Sequence, residues 1–213
     1  MRILELFSGT GSIGKVWELH GHEVVSVDSD NTFKPTHHTN ILDFDYQQLG
    51  DFDYIHASPP CCAYSKLQEL WYGREKIIDG KRVLFTEDLH KQQLETSDKL
   101  VLKALEIIDF FKPPCWTIEN PYSTFKYNLT SRKIMAGIPH TICNYCMYGH
   151  PLQKATAFFN NFGLELLTCT KDHKHKRWGT GDTITLPRPY CRYVIPEALC
   201  EVIYQSVTEL NDQ

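Results

Sequence analysis

The stretch SPPCCAYS, residues 58–65, sets two consecutive thiols, Cys61 and Cys62, behind a pair of prolines. Proline fixes φ, so a cysteine that follows it is presented at a defined angle with little freedom. A thiolate in such a place can attack and form a covalent intermediate. A buried cysteine that only packs is the alternative, and the commoner fate of a free thiol. Farther along, IENP puts Glu119 and Asn120 at the end of an apolar run, just before Pro121. A carboxyl group there must be paired or protonated. A structural salt bridge meets the first condition, and a proton donor the second. A third stretch, FSGTGSIG, spells G-x-G-x-x-G with Gly9, Gly11 and Gly14. Alone, that pattern is a structural turn as readily as a ligand loop. Asp28, ending the next apolar run, tilts the reading toward a nucleoside-containing cofactor. A carboxylate there accepts from both ribose hydroxyls, and no basic residue beside it favours a 2′-phosphate.

These groups need elements to hold them. RILELF (2–7) reads as a buried strand, KVWELHGHEV as a helix stopping at Gly21, and EVVSVDSD as a second strand. DFDYIHA (51–57) is a further strand running into the Pro-Pro-Cys turn. From about 92 to 111, Leu94, Val101, Leu105 and Ile108 recur at helical spacing until Lys112, Pro113 and Pro114 end the helix. CWTIENP (115–121) and AFFNNF (157–162) are strands, and Pro196 leads in a last helix, EALCEVIYQSV. The pattern predicts an α/β chain with a doubly wound, mostly parallel sheet, in which ligands sit beyond the carboxyl ends of the strands. FSGTG, VDSD, SPPCC and IENP all fall at such ends. Residues 66–91 are polar and aperiodic, and a connection of that length is functional or disordered.

The 213 residues, 42% hydrophobic and 23% charged, predict one domain over 1–213 without internal repeat or linker. A net charge of -4 excludes a whole-molecule basic field but not a local patch. No apolar run approaches the roughly 20 residues that cross a bilayer, and MRILELFSGTGSIG lacks a signal-peptide pattern. With eight cysteines in a chain this long, an intracellular thiol protein is expected, in the cytoplasm or in the nucleoid or nucleus of a host cell. Cys143 and Cys146 have C-x-x-C spacing, followed by Cys169 and His173. A Cys3His zinc site is chemically allowed. The later spacing is loose, and no metal is assigned from it. His37 and His38 are expected at the surface or in packing.

In order and spacing, FSGTG, Asp28, SPPCCAYS and IENP resemble the cytosine-5 DNA methyltransferases, most of all the short forms of bacteriophages and large DNA viruses. YGHPLQKATAFFNN (148–161) resembles their later basic motif, and YVIPEALCEVI (193–203) their C-terminal helix. The resemblance implies a Rossmann-like S-adenosylmethionine-dependent methyltransferase fold. Phe7, Gly9 and Gly11 would frame S-adenosylmethionine, with loop amides near its carboxylate. Asp28 would hold the ribose, Asn40 and Ile41 the adenine, and Pro60 would line the methyl-donor pocket. The family commonly has Asp where Asn40 stands. The resemblance also implies Cys61 as the nucleophile, directly after the prolines, with Cys62 in packing. Glu119 would serve N3 of the target cytosine. Lys154 and Thr156 stand where the family commonly has arginines. Ser65 and Asn120 would meet the substrate.

On that reading a thiolate adds to carbon 6, carbon 5 becomes enamine-like and takes the methyl group, and elimination frees the cysteine. The base must leave its stack to reach the pocket, and residues 66–91 would close over it. Residues 163–192 form a reduced recognition segment in place of a larger domain. In it Lys171, Lys174, Lys176 and Arg177, with Trp178, suggest phosphate contact, or else a solvated loop. DNA, single- or double-stranded, is the expected partner, with no membrane. The alternatives are cytosine-5 methylation of RNA, a non-catalytic S-adenosylmethionine-binding subunit, and an enzyme whose specificity comes from a partner.

Overall fold

In the computed structural model, residues 1–78, 80–174 and 194–211 are described. The chain opens with strand β1 (Arg2–Leu6), helix α1 (Ser12–Leu19), strand β2 (Glu23–Asp28) and a short strand β3 (His37–His38). Strand β4 (Tyr54–Ala57) follows, then the hairpin β5 (Arg74–Ile78) and β6 (Lys81–Phe85) and the long helix α2 (Glu87–Phe111). Strands β7 (Cys115–Pro121), β8 (His140–Asn144) and β9 (Ala155–Asn160) precede the last described helix, α3 (Glu197–Asn211).

Seven strands form one sheet in the order β3-β2-β1-β4-β7-β9-β8. β9 alone is reversed, pairing antiparallel with both β7 and β8. The expected doubly wound, mostly parallel α/β architecture is therefore present. Register brings the strand ends level: Leu6 lies opposite Val27 and Ala57, and Ala57 opposite Ile118. Residues that follow these positions thus share one edge of the sheet. Because β9 runs the other way, its first residues reach that same edge, with Thr156 opposite Pro121 and Ala157 opposite Asn120.

Apolar side chains fill both sides of the sheet. On one side Val101, Ala104 and Ile107 of α2 pack with Leu4, Leu6, Ile55 and Ile118. On the other, Trp17 of α1 and Leu199, Ile203 and Val207 of α3 pack with Ile3, Tyr54 and Phe158. Each such Val, Leu, Ile or Phe side chain, fully buried, contributes about 1.5–3 kcal/mol. α2 begins earlier than its apolar period indicates, because Thr86 caps it by accepting from the Leu89 amide at 3.1 Å, and Glu87 and Asp88 suit the positive end of the helix. Lys112 ends it in a left-handed conformation at φ 47°.

The largest departure from expectation is residues 66–91. They hold a 3-10 turn (Lys66–Trp71), the β5–β6 hairpin and the first turn of α2. Their order comes from directed side-chain bonds that no local period reveals. Gln68 Nε2 donates to the Cys62 carbonyl at 2.7 Å, Lys76 Nζ donates to Gln68 Oε1 at 2.7 Å, and His90 Nε2 lies 2.7 Å from the Ala63 carbonyl. Phe85 is fully buried beneath them.

Candidate active site

β1 turns into the glycine loop through three left-handed residues, Phe7 (φ 54°), Gly9 (φ 47°) and Gly11 (φ 65°). The positive φ at Phe7 is uncommon for a residue with a side chain, and such strain gathers at functional sites. Asp28, ending β2, ties the loop down. Its Oδ2 accepts from the Gly9 amide at 2.7 Å and its Oδ1 from Asp30 at 2.8 Å. Each carboxylate oxygen keeps a second lone pair for a ligand. The Gly11 amide donates to the Ser8 carbonyl at 2.8 Å, so the amides of Gly9 and Gly11 serve the loop itself, not an incoming carboxylate.

A residue outside the predicted set supports this loop from below. Glu5, buried in β1, accepts from the amides of Ile13 and Gly14 at 3.2 and 3.1 Å, capping α1 from beneath. Burial raises its carboxyl to about 7 against the pull of those amides. A Cβ on Gly14 would come within 2.7 Å of Glu5 Oε2, which explains the third glycine. The one acid inside the apolar run RILELF was the available signal.

A cleft opens above the loop, lined by Phe7, Asp28, Asn40, Ile41, Pro60 and Leu100 among others. Five of these are predicted cofactor residues; Leu100, from α2, is an addition. A Cβ built on Gly9 would meet nothing within 4 Å, so the space over the loop stays open to a ligand. Asn40 uses one Oδ1 lone pair on the Leu42 amide at 3.0 Å, which caps the turn Ile41–Asp43.

The same edge carries the reactive groups. Asn120 Nδ2 donates to the Pro59 carbonyl at 3.1 Å and pins the proline turn to the end of β7. Beyond the turn, Tyr64 is held to α2 through Asp98 at 3.0 Å, and Arg132 pairs with the same carboxylate. Below it, His56 lies buried between Thr117 and Ser58 at 2.7 and 2.9 Å. Burial lowers its pKa to about 3, so it is a neutral strut.

Cys61 is partly buried and Cys62 exposed. The Cys61 thiol is pushed well above its ordinary range, first by its hydrogen bond with Cys62, then by burial and the charge of Glu119, while Lys154 pulls it down. Those influences place Cys61, Glu119 and Lys154 in one electrostatic cluster. Lys154 Nζ stands 3.6 Å from Glu119 Oε1, with the two side chains 12% and 9% exposed, so the salt bridge weighed for Glu119 is present. Losing one partner of such a pair costs about 3–5 kcal/mol. Tyr145, another residue outside the predicted set, donates to the same Oε1 at 3.0 Å while Lys154 lies 4.4 Å above its ring. Tyr145 follows β8 in sequence, and nothing periodic marked it.

The remaining predicted residues are placed differently. Thr156 is fully buried; its hydroxyl donates to the Lys154 carbonyl at 3.4 Å and shares a hydrogen bond with Tyr145, so it touches both partners of Glu119. Ser65 caps the following 3-10 turn by accepting from the Leu67 amide at 3.3 Å. Lys174 is exposed, and Lys176 and Arg177 lie outside the described residues. Of the four candidate metal ligands, the donor atoms of Cys146, Cys169 and His173 lie within 4.8 Å of one another. Cys143 is fully buried and apart from that group. Burial and then the charge of Glu119 raise its thiol to about 12.

No family model matches the chain. It is 33% identical over 153 residues to a probable DNA (cytosine-5)-methyltransferase of frog virus 3, covering 70% of this chain and 64% of that protein. Among solved structures it is similar to the Entamoeba histolytica methyltransferase EhMeth, with a TM-score of 0.52, 19% identity, and 83% and 57% of the two chains covered. It is also similar to a putative DNA modification methyltransferase encoded within an E. coli prophage, with a TM-score of 0.50, 14% identity, and 75% and 46% covered. The chain thus spans less than two thirds of the length of each of these proteins.

Proposed function

We propose that this chain, kin to a cytosine-5 methyltransferase of a large DNA virus and folded as methyltransferases fold, methylates carbon 5 of cytosine in DNA with S-adenosylmethionine as donor. The resemblance drawn from the motifs is borne out by that viral relative. The observation that carries the mechanism is the clamp from Asn120 to Pro59, which sets the Cys61 turn beside Glu119 at the rim of a cleft that Pro60 also lines.

The residues present fit the donor. The space above Gly9 is open, Phe7 and Ile41 offer apolar walls, and Asp28 has lone pairs left for two hydroxyls. When bound, S-adenosylmethionine would supply a methyl group activated by its sulfonium. Asp28 would orient the ribose, and Asn40 would present its amide to the adenine edge. Cys61 would add to carbon 6 of the cytosine, which makes carbon 5 nucleophilic. Glu119, held by Tyr145 and Lys154, would share a proton with N3 as charge develops there. Asn120 Oδ1 is buried without a hydrogen-bond partner among the described residues, and a donor on the bound base would satisfy it. Exposed Leu67, Leu70 and Trp71, directly after the catalytic turn, would meet base faces as the target leaves its stack.

Methyl transfer from labelled cofactor to single-stranded DNA, duplex DNA and RNA tests this. Incorporation into DNA, with a trapped adduct on 5-fluorocytosine DNA, is expected. Labelling of RNA alone would favour the RNA reading, and cofactor binding without any labelling would favour a non-catalytic subunit.

A further inference from the structure

Two residues beyond β8, Cys146 sits in the turn Tyr145–Tyr148, which Gly149 closes at φ 79°. A distant stretch of chain is brought against this turn by a set of directed bonds. The Asn144 amide donates to the Leu167 carbonyl at 3.1 Å. Leu167 donates to the Tyr148 hydroxyl at 2.8 Å, and the Cys169 amide donates to Asn144 Oδ1 at 2.8 Å. Thr170 then donates to Asp172 Oδ1 at 2.7 Å, and the same oxygen lies 3.0 Å from Nδ1 of His173. These contacts converge on one point, where a donor atom from each of Cys146, Cys169 and His173 falls within 4.8 Å of the others.

We infer that Cys146, Cys169 and His173 supply three ligands of a structural zinc site, which a fourth protein donor would close. Two thiolates and an imidazole are the ligand types that zinc selects. At Zn–S of about 2.3 Å and Zn–N of about 2.0 Å, tetrahedral ligand atoms stand roughly 3.5–3.8 Å apart. The separation seen here closes by about 1 Å, within the reach of small side-chain rotations. Asp172 on Nδ1 is the carboxylate–histidine pairing that fixes the ring and turns Nε2 toward a metal. Binding displaces one proton from each thiol, so the site fills more readily as pH rises. Its place gives its role. The metal would staple residues 167–173 to the turn that also carries Tyr145, the partner of Glu119.

Elemental analysis of the full chain, purified under reducing conditions with zinc supplied, is expected to give about one zinc per chain. Cobalt substitution should give the visible bands of a tetrahedral site and a thiolate charge-transfer band. Cys169→Ser and His173→Ala should each release zinc to a chromogenic chelator at least tenfold more readily, while Cys62→Ser keeps it. Should Cys169→Ser not fold, the wild-type cobalt spectrum and stoichiometry still decide. Wild-type protein with well under one equivalent of zinc, zinc retained unchanged in both ligand variants, or a Cys146–Cys169 disulfide formed in place of metal binding would each overturn the inference.

Discussion

Two pairs of neighbouring thiols lie beyond strand ends: Cys61–Cys62 after β4, and Cys146 after β8 with Cys169 brought against it. In each pair the two sulfurs share a hydrogen bond and one thiol is pushed up, Cys146 to about 11 by burial first and Cys61 further by the bond from Cys62 first. Their surroundings differ. Around Cys61 stand a carboxylate, an ammonium and an open cleft; around Cys146 stand an imidazole and its buttressing carboxylate. The sulfur is the same in both places, so its fate is set by which acids and bases the sheet edge brings to it. On the function proposed above the first group would add to a substrate and let go, and on the inferred site the second would hold an ion.

The sharpest way to break this contrast is to exchange sulfur for oxygen in each pair. Cys61→Ser is expected to lower methyl transfer by about 10⁴-fold or more, as loss of a nucleophile does, and to abolish the adduct with 5-fluorocytosine DNA, read by gel shift. Cys62→Ser should keep most activity. Equal losses in two folded variants would erase the difference between the two thiols.

Glu119→Gln comes next. It keeps the shape but not the shared proton, and about 10²–10⁴-fold should be lost in kcat. Binding of S-adenosylmethionine, followed by calorimetry, should hardly change. Asn120→Ala, which frees the proline turn, should cost about 10²-fold through misplacement of the nucleophile. A normal rate in this variant would remove the clamp from the mechanism.

A pH profile sharpens the comparison further. The Cys61 thiol is raised, so its thiolate is scarce at neutral pH, and kcat/KM should climb through pH 7 to 9. The bond from Cys62 is the foremost cause of that rise. Cys62→Ala should therefore move the ascending limb to lower pH. An unmoved limb would show that the second thiol does not tune the first. The smallest effect is expected for Cys169→Ser, with kcat within about threefold and Tm lower by several degrees, of the size that about 1 kcal/mol produces.

Much of the cleft's lining was legible because its residues end strands. An apolar run followed by glycine or acid marks both the strand and the edge where it stops, and Phe7, Asp28, Ile41 and Pro60 do line one cleft. The sequence motif also carried Cys61 and Glu119. Tyr145 was not legible. It reaches Glu119 only because β8 is separated from β7 by the reversed strand β9, and pairing across a sheet leaves no period in the chain. The bond between Thr156 and Tyr145 was not legible for a related reason, because it joins β9 to the turn that follows β8. The β5–β6 hairpin escaped notice because its strands alternate weakly, leaving Ile77 and Leu84 exposed while Phe85 alone is fully buried.

The reversed strand also dictates how this region can drift. Side chains on β9 alternate faces, so a one-residue insertion or deletion within Ala155–Asn160 would exchange the face carrying Phe158, packed with α1 and α3, for the face carrying Ala157 and Phe159, packed with α2. Replacement is tolerable there; a change of length is not. The turn that leads into β9 is constrained as well, because Lys154 at its end stands 3.6 Å from Glu119 and its carbonyl accepts from the Tyr145 amide.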